Sequence, residues 1–201
     1  MCQEGIDMNP TQHPSAIRSK NEITNTLLHL MKSFPYHEIT VKQILMESHV
    51  ARKTFYRNFS SKDDVLSAHI DTILYQYVQS LQQMPSCRLS VVLDIIFEFC
   101  IQNQEFLFQL RDNELLHLIL NKLNRLIPLL HNQIVSPDYP LFQPFTSEQT
   151  EYIIAFNVGA AWNIILKWVE GGMREMPESI KRTILRYLNH MSHFIEMQIC
   201  I

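Results

Sequence analysis

Apolar residues recur every three or four positions along most of the chain, and this spacing predicts an all-α protein. One run begins at Ser15 and is expected to end at Pro35, since proline disfavours helical backbone in the residue before it. A long helix is predicted from Ser61 to the Met84-Pro85 pair, and further helices follow it. Only 4 glycines are present, which argues against the tight hairpins of a strand-rich fold.

Two short helices are predicted before the long one. Thr40 and Gln43 form a T-x-x-Q capping box that predicts a helix start, and this helix is expected to end at Ser48-His49. A second short helix is predicted over 52–58, with Phe55 and Phe59 facing inward. A short helix, a tight turn and a second, basic helix form the arrangement with which helix-turn-helix proteins place one helix in the major groove of DNA.

Basic residues are concentrated in the N-terminal third, although the net charge of the whole chain is -3. Residues 15–62 contain eight basic and three acidic side chains, a balance of +5, whereas residues 63–201 contain nine and fifteen, a balance of -6. A positive module on an acidic remainder is expected of a protein that binds nucleic acid through one part only. The alternative is a solvated basic helix in a helical bundle that binds no DNA.

Four short motifs stand in register within residues 17–66: Ile39-Thr40-Val41, His49-Val50, Tyr56-Arg57-Asn58-Phe59 and Ser61-Lys62-Asp63. With these motifs the region resembles the TetR/AcrR family of bacterial transcriptional regulators. The stretch around Trp168-Val169-Glu170-Gly171-Gly172 looks more loosely like the ligand and dimerisation domain of many members. The resemblance implies a flexible tail over 1–14, a helix-turn-helix DNA-binding head over 15–66, and a larger helical effector-binding and dimerisation domain over 67–201.

The chain departs from the family pattern at two positions. The turn between the short helices carries His49 where the family has glycine. That position needs left-handed or nearly left-handed backbone, which histidine adopts more readily than most other residues with a side chain. Lys53 stands where the family often has a small residue, so the operator of a known member cannot be transferred to this chain.

Seven residues of the head are expected to contact DNA. The resemblance assigns phosphate contacts to Thr40, Tyr56 and Lys62, and the free N–H groups at helix starts favour anions at two of these positions. The exposed start of the second short helix would present Arg52, Lys53 and Thr54 to base edges. Arg57 would supplement the contacts to the DNA backbone.

Apolar residues of the body suggest two further sites. One site is a possible effector pocket lined by Phe97, Cys100, Phe106 and Trp162. These residues could bind a small hydrophobic or aromatic effector, or they could belong to an ordinary core. The last two long helices are predicted to form a homodimer interface through Ile154, Val158, Ile165, Ile184, Leu188, Met191 and Ile195. A two-fold dimer would present two recognition helices to a pseudo-palindromic operator.

These observations predict a transcriptional regulator that binds double-stranded DNA. The resemblance implies a repressor that a small-molecule effector releases. A helix-turn-helix activator or co-regulator controlled by a protein partner is the alternative. The sequence contains neither a G-x-S-x-G elbow nor an H-E-x-x-H motif, so no enzymatic activity and no cofactor are expected.

Histidine and cysteine positions offer weaker candidates for sites. His190 and His193 are spaced to share a helical face, but a zinc site needs three or four ligands, so no metal is expected. Cys87 and Cys100 would suit a redox sensor only with a lowered pKa, and neither has an adjacent Lys or His. We find no signal-peptide pattern and no apolar run near the roughly 18 residues of a membrane span, which predicts a soluble, cytoplasmic protein.

Overall fold

The computed structural model describes residues 14–83, 88–134 and 146–199, and for residues 130–134, 147 and 192–199 it describes the backbone alone. Within these ranges the chain forms nine α-helices and one 3-10 turn, Tyr36–Glu38. The helices are α1 (Pro14–Leu30), α2 (Val41–Ser48), α3 (Arg52–Asn58), α4 (Lys62–Gln82), α5 (Leu89–Gln102), α6 (Gln104–Asp112), α7 (His117–Ile134), α8 (Ser147–Glu170) and α9 (Pro177–Ile199). The all-α prediction is confirmed. The chain divides into two compact units between Ile70 and Asp71, where the sequence suggested a boundary after residue 66.

The first unit packs α1 against α2 and α3 around a small apolar core. Ile23, Leu27, Ile44 and Phe55 have no exposed surface. Phe59 is buried beside Phe55, with ring centroids 6.1 Å apart, so the inward direction predicted for both phenylalanines is confirmed. Full burial of a side chain of this size contributes roughly 1.5–3 kcal/mol to the stability of the fold. The face of α3 that carries Phe55 therefore anchors this helix to the core.

Helix α1 ends at Leu30, earlier than the periodicity of the sequence predicted. The N–H groups of Lys32 and Ser33 donate to carbonyls three residues back, which tightens the chain into a turn. The spacing of apolar residues places Phe34 on the inner face of this predicted helix, yet 44% of its surface is exposed. Pro35 therefore follows a turn and precedes the 3-10 turn, rather than ending the helix directly.

The second unit packs α5 against α9 and α6, and α8 against α6 and α7. The rings of Phe97 and Trp168 meet edge to face, with centroids 5.1 Å apart. The indole N–H of Trp168 donates to the carbonyl of Glu175 across the turn after α8, at 2.9 Å. The Gly171-Gly172 pair predicts a helix stop, and Gly172 takes the left-handed backbone of this turn, with φ 78, just after α8 ends at Glu170.

Helical spacing predicts a helix from Glu114 to about Ile127, disturbed at Pro128, and α7 differs from these bounds at both ends. Glu114, where the sequence suggested a helix start, has φ 60 and lies in a turn, so the helix begins at His117. Pro128 lies inside the helix, which continues to Ile134. Proline removes one backbone hydrogen bond there, and the neighbouring turns keep the helix together.

Candidate nucleic-acid interface and internal cavity

The start of α2 is closed by the predicted capping box. The Thr40 hydroxyl accepts the N–H of Gln43 at 3.2 Å, and the Gln43 side-chain carbonyl accepts the N–H of Thr40 at 2.8 Å. This arrangement gives hydrogen-bond acceptors to two of the backbone N–H groups at the helix start. Helix geometry provides no acceptor within the helix for the N–H groups of Val41 and Lys42. Because Thr40 is exposed, this helix start can accept an anion from solvent.

The turn after α2 is made by His49. Its backbone is left-handed, with φ 53 and ψ 21, so the conformation predicted for the residue in the place of glycine is confirmed. Ala51 then adopts extended backbone and α3 begins at Arg52. Two helices joined by so short a turn are the local geometry that a helix-turn-helix motif requires.

Helix α3 carries its apolar and basic residues on different faces. Phe55 is buried, whereas Arg52, Lys53, Tyr56 and Arg57 are exposed. The Arg52 guanidinium lies 5.5 Å from the centroid of the Tyr56 ring, within the range of a cation–π contact. Thr54 is half-buried at the edge of this face. The packing of Phe55 thus turns a positively charged, hydrogen-bonding surface toward solvent.

Lys62, at the start of α4, has different partners from those that the phosphate assignment supposed. Its ammonium donates to the carbonyls of Tyr36, His37 and Ile39, at 2.6, 3.2 and 2.7 Å. An ammonium group has three N–H donors, and these three carbonyls take all of them. In this structure the ammonium thus contacts the head itself, and the predicted contact with phosphate stays a prediction. The sequence could not indicate these internal contacts of Lys62, because the three carbonyls belong to a turn that lies far earlier in the chain.

Tyr36 is a residue of the head that sequence reasoning missed. Its ring is buried, and its hydroxyl donates to Oδ1 of Asp63 at 2.6 Å. Burial raises the pKa of Tyr36 far above its usual value, and the hydrogen bond to the Asp63 carboxylate adds to the shift. The phenol therefore stays protonated as a donor. The adjacent Pro35 and the isolated aromatic side chain were the only signal in the sequence.

The second unit encloses a cavity of about 240 Å³. The described residues that line it are apolar apart from Tyr77, Cys100, Asn157 and Trp162, each of which carries one polar group. Burial raises the pKa of the Cys100 thiol to about 12, so this cysteine is protonated at neutral pH. Burial, followed by the nearby Cys100, raises the pKa of Tyr77 as well. None of the described lining residues is therefore charged at neutral pH.

Two of the four predicted pocket residues line this cavity. Cys100 and Trp162 face it, whereas Phe97 and Phe106 lie in the core rather than on the cavity wall. Phe97 packs on Trp168 instead. Tyr77 and Phe99 also line the cavity, and their rings contact each other with centroids 5.1 Å apart.

The exposed apolar face of α8 is not the one that the sequence suggested. Ile154 and Ile165 are buried within their own chain, and Ile165 lines the cavity together with the half-buried Val158. Successive helical residues are about 100° apart, so Tyr152 and Phe156 point the opposite way from Ile154. Both have 74% of their surface exposed. The predicted residues therefore form core and cavity, and these two aromatic residues form the open face.

Helix α9 fits the interface prediction more closely. Leu188 and Met191 are exposed, as is Tyr187, while Ile184 is half-buried. Ile195 lies on the same helix, but its side chain is outside the described residues.

Helix α8 also has a composition that bears on membranes. The segment Glu148–Glu170 is long and apolar enough to cross a membrane by length and composition alone, with a mean hydropathy of 1.3. The core helices of globular proteins pass the same test.

The structure gives little support to the metal site and the redox sensor. Among the described residues, no three His, Cys, Asp or Glu side chains are grouped closely enough to hold a metal ion. His190 is exposed, and the side chain of His193 lies outside the described part. Cys100 is buried, with a raised pKa that opposes thiolate formation, and Cys87 is outside the described residues.

Two family models match the chain. Residues 23–68 match the model for bacterial regulatory proteins of the tetR family, and residues 89–190 match a model for a transcriptional regulator C-terminal region. The second match spans half of the chain. No protein of curated function matches.

Several solved structures are similar in fold. The dihydroxyacetone kinase operon activator DhaS is 21% identical with a TM-score of 0.55, over 87% of this chain and 96% of that one. A TetR transcriptional regulator from Streptococcus agalactiae 2603V is 19% identical with a TM-score of 0.57, over 86% and 94%. The fatty acid degradation regulator FadR from Bacillus halodurans is 17% identical with a TM-score of 0.54, over 88% and 95%.

The two matches agree with what the residues show. The tetR match covers the capping box of α2, the left-handed turn at His49 and the basic face of α3, and the second match covers most of the helical body. At these identities the solved structures show the shared fold alone. The chain belongs to the TetR family of bacterial transcriptional regulators, which are DNA-binding proteins with a helix-turn-helix head and a helical C-terminal domain.

Proposed function

We propose that this protein regulates transcription by inserting α3 into the major groove of a specific DNA sequence. The observation that supports this is the division of α3 into two faces, since the burial of Phe55 turns Arg52 and Lys53 outward at the helix start. Either side chain is suited to the O6 and N7 atoms of guanine, and Thr54 to a base edge or a thymine methyl group. Sequence preference then depends on a very short stretch of chain.

Phosphate contacts position the head rather than specify sequence. We propose that one phosphate binds at the start of α2, where the N–H groups of Val41 and Lys42 and the exposed Thr40 are available. Tyr56 has half of its surface exposed and a hydroxyl that suits a second phosphate, with Arg57 beside it in sequence. These contacts would contribute to all DNA sequences alike.

The protein would act as a homodimer in the cytoplasm. The open faces of α8 and α9, with Tyr152, Phe156, Tyr187 and Met191, are large apolar surfaces of a kind that a monomer rarely leaves in water. A second copy covering them would form a four-helix interface and would account for the apolar composition of α8 without a membrane. A two-fold dimer presents two copies of α3 to half-sites about one helical turn apart.

The cavity in the body supports control by a small apolar or aromatic molecule. Uncharged walls and a volume of about 240 Å³ suit a ligand that carries few polar groups. Such a ligand can change operator occupancy only by binding one conformation of the dimer more tightly than the other. In the simplest case the liganded form loses DNA, and the protein is a repressor that the ligand releases.

The direction of regulation has an alternative with some support. One of the structurally similar proteins bears the name of an operon activator. A helix-turn-helix activator or co-regulator that responds to a protein partner is therefore the second candidate. A promoter reporter separates the two, since deletion of the gene raises expression from a repressed promoter and lowers it from an activated one.

The proposal for α3 is tested by a pair of substitutions that remove one positive charge each. Arg52→Ala should reduce the preference for the selected operator over a scrambled duplex by about 1–3 kcal/mol, the usual value of one good base contact. Lys167→Ala removes an exposed charge from α8 and should leave that preference unchanged. Equal preference in Arg52→Ala and the unmodified protein, measured by fluorescence titration, would contradict the placement of the site.

A further inference from the structure

We infer that Lys62, Tyr36 and Asp63 form an internal clamp that positions the DNA-contacting surface without touching DNA. Lys62 and Asp63 open α4, and Tyr36 begins the 3-10 turn that leads into α2. The inference rests on the DNA binding proposed above and concerns how the head holds its contact residues in place. It assigns the three residues a role as positioning residues.

The ammonium group of Lys62 is the centre of the clamp. Three carbonyls of one turn converge on it, from Tyr36 at 2.6 Å, His37 at 3.2 Å and Ile39 at 2.7 Å. Charged hydrogen bonds of this kind are stronger than those between neutral groups. If a phosphate were to bind the Lys62 ammonium, one or more of its hydrogen bonds to the carbonyls of the turn would have to break. The geometry therefore favours the internal role.

Tyr36 ties the same two segments together by its side chain. Its hydroxyl donates to Asp63 at 2.6 Å, and its ring centroid lies 4.6 Å from the Lys62 ammonium, within the range of a cation–π contact. The ring is also buried. The turn is thus held to α4 by backbone and side-chain links, made to two adjacent residues.

The clamp reaches the DNA-contacting surface through Ile39. This residue is buried, its carbonyl is one of the three held by Lys62, and the next residue is Thr40, the N-cap of α2. Fixing the carbonyl of Ile39 restrains the peptide that joins it to Thr40. The direction of the N–H groups at the start of α2 is therefore coupled to Lys62, although Lys62 is not part of α2.

Salt dependence separates a positioning role from a phosphate contact. The affinity of a protein for duplex DNA falls with salt, and each phosphate that a cation neutralises adds about 0.9 to the slope of log affinity against log salt. Lys62→Met should lower affinity for the selected operator roughly tenfold, the cost of losing a charged hydrogen-bond set, with the slope unchanged. Arg57→Met, a control on the exposed face of α3 where we propose a phosphate contact, should lower the slope.

Tyr36→Phe provides a second variant that cannot act through phosphate. It removes only the hydroxyl that Asp63 accepts, from a buried ring. We expect a lower affinity at unchanged slope, and a double variant with Lys62→Met that loses less than the two single variants combined. All proteins are compared well below their melting temperatures, so that the folded fraction is the same.

Three results would overturn the clamp while leaving DNA binding intact. One is a slope that falls by about 0.9 in Lys62→Met, which would make it a phosphate contact after all. Another is a Tyr36→Phe protein with a lowered melting temperature and unmodified affinity, which would make the links merely stabilising. The third is full additivity of the two substitutions. If the unmodified protein binds no duplex, the proposed function fails, and the clamp as a DNA-positioning device fails with it.

Discussion

The head and the body of this protein treat apolar side chains in opposite ways. The head buries Phe55, Phe59 and most of its other apolar residues in a small core, with Ile17, Phe34 and Met46 exposed, and α3 turns basic and polar groups outward. The body keeps apolar side chains on two surfaces that its own core does not use, the wall of a cavity and the open faces of α8 and α9. The head is thus suited to a charged partner, and the body to apolar ones. The contrast supports our proposals that DNA binds the first, and that a ligand and a second copy bind the second.

The largest expected effect is a difference in stability between variants of a buried and of an exposed phenylalanine. Phe55→Ala removes a fully buried ring from the core of the head and should lower the free energy of unfolding of that unit by about 3–5 kcal/mol, with loss of DNA binding. Phe156→Ala, the same change at a side chain with 74% of its surface exposed, should cost well under 1 kcal/mol in the dissociated chain. Urea unfolding measures both. Similar losses in the two variants would break the contrast.

The next effect concerns the open face of α8. Phe156→Glu places a carboxylate where we propose that a second copy packs, twice in each symmetric dimer. We expect dissociation into monomers, with the dimer weakened by at least about 2 kcal/mol, the cost typical of a hot-spot residue. Sedimentation velocity across a concentration series measures this. Glu151→Gln, a change at an exposed acidic residue of the same helix, serves as a control. A Phe156→Glu protein that remains dimeric would show that the partner copy packs elsewhere.

A smaller effect should appear when the cavity is filled. Ala161 lines the cavity, and Ala161→Phe should occupy much of its 240 Å³ at a cost of no more than about 1–3 kcal/mol in packing. A small aromatic probe such as indole should then lose its stabilising effect in a thermal shift assay, while operator affinity is retained. Asn121→Phe, at an exposed position of α7, should respond to indole like the unmodified protein. If Ala161→Phe keeps its response, the probe binds outside the cavity.

The smallest effect concerns the turn of the head. His49 adopts left-handed backbone, which costs an ordinary residue roughly 1–2 kcal/mol relative to glycine. Glycine removes this cost, but it also makes the unfolded chain more flexible, which offsets part of the gain. His49→Gly should therefore stabilise the head by a few tenths to about 1 kcal/mol. His49→Val should destabilise it, since branching at Cβ opposes this backbone. Destabilisation by His49→Gly would show that the imidazole makes a contact that the turn needs.

The head could be predicted from the sequence because its determinants are local. The capping box joins Thr40 to a residue three positions later, and His49 fixes its own backbone. Helix periodicity alone placed Phe55 and Phe59 inward. A motif of this kind occupies consecutive positions, so its residue types and spacing are visible without the fold. The DNA contacts of the individual side chains stay predictions.

What the sequence could not supply were contacts between distant residues. The family resemblance and its place at a helix start predict a phosphate contact for Lys62, but neither could indicate that its carbonyl partners lie in the turn before α2. The same limit applies in the body. Periodicity marked α8 as apolar on most sides but could not tell which side its own chain buries, so Ile154 was assigned to the interface and Phe156 was not.

Selection of bound fragments from random duplex DNA, with affinities measured at two salt concentrations, tests the central claim most directly. The account predicts a palindromic sequence bound at least about 10³-fold more tightly than bulk DNA, with affinity that falls steeply as salt rises. It also predicts half-sites spaced by about one helical turn. Weak binding that is equal across all sequences would contradict site-specific recognition by α3.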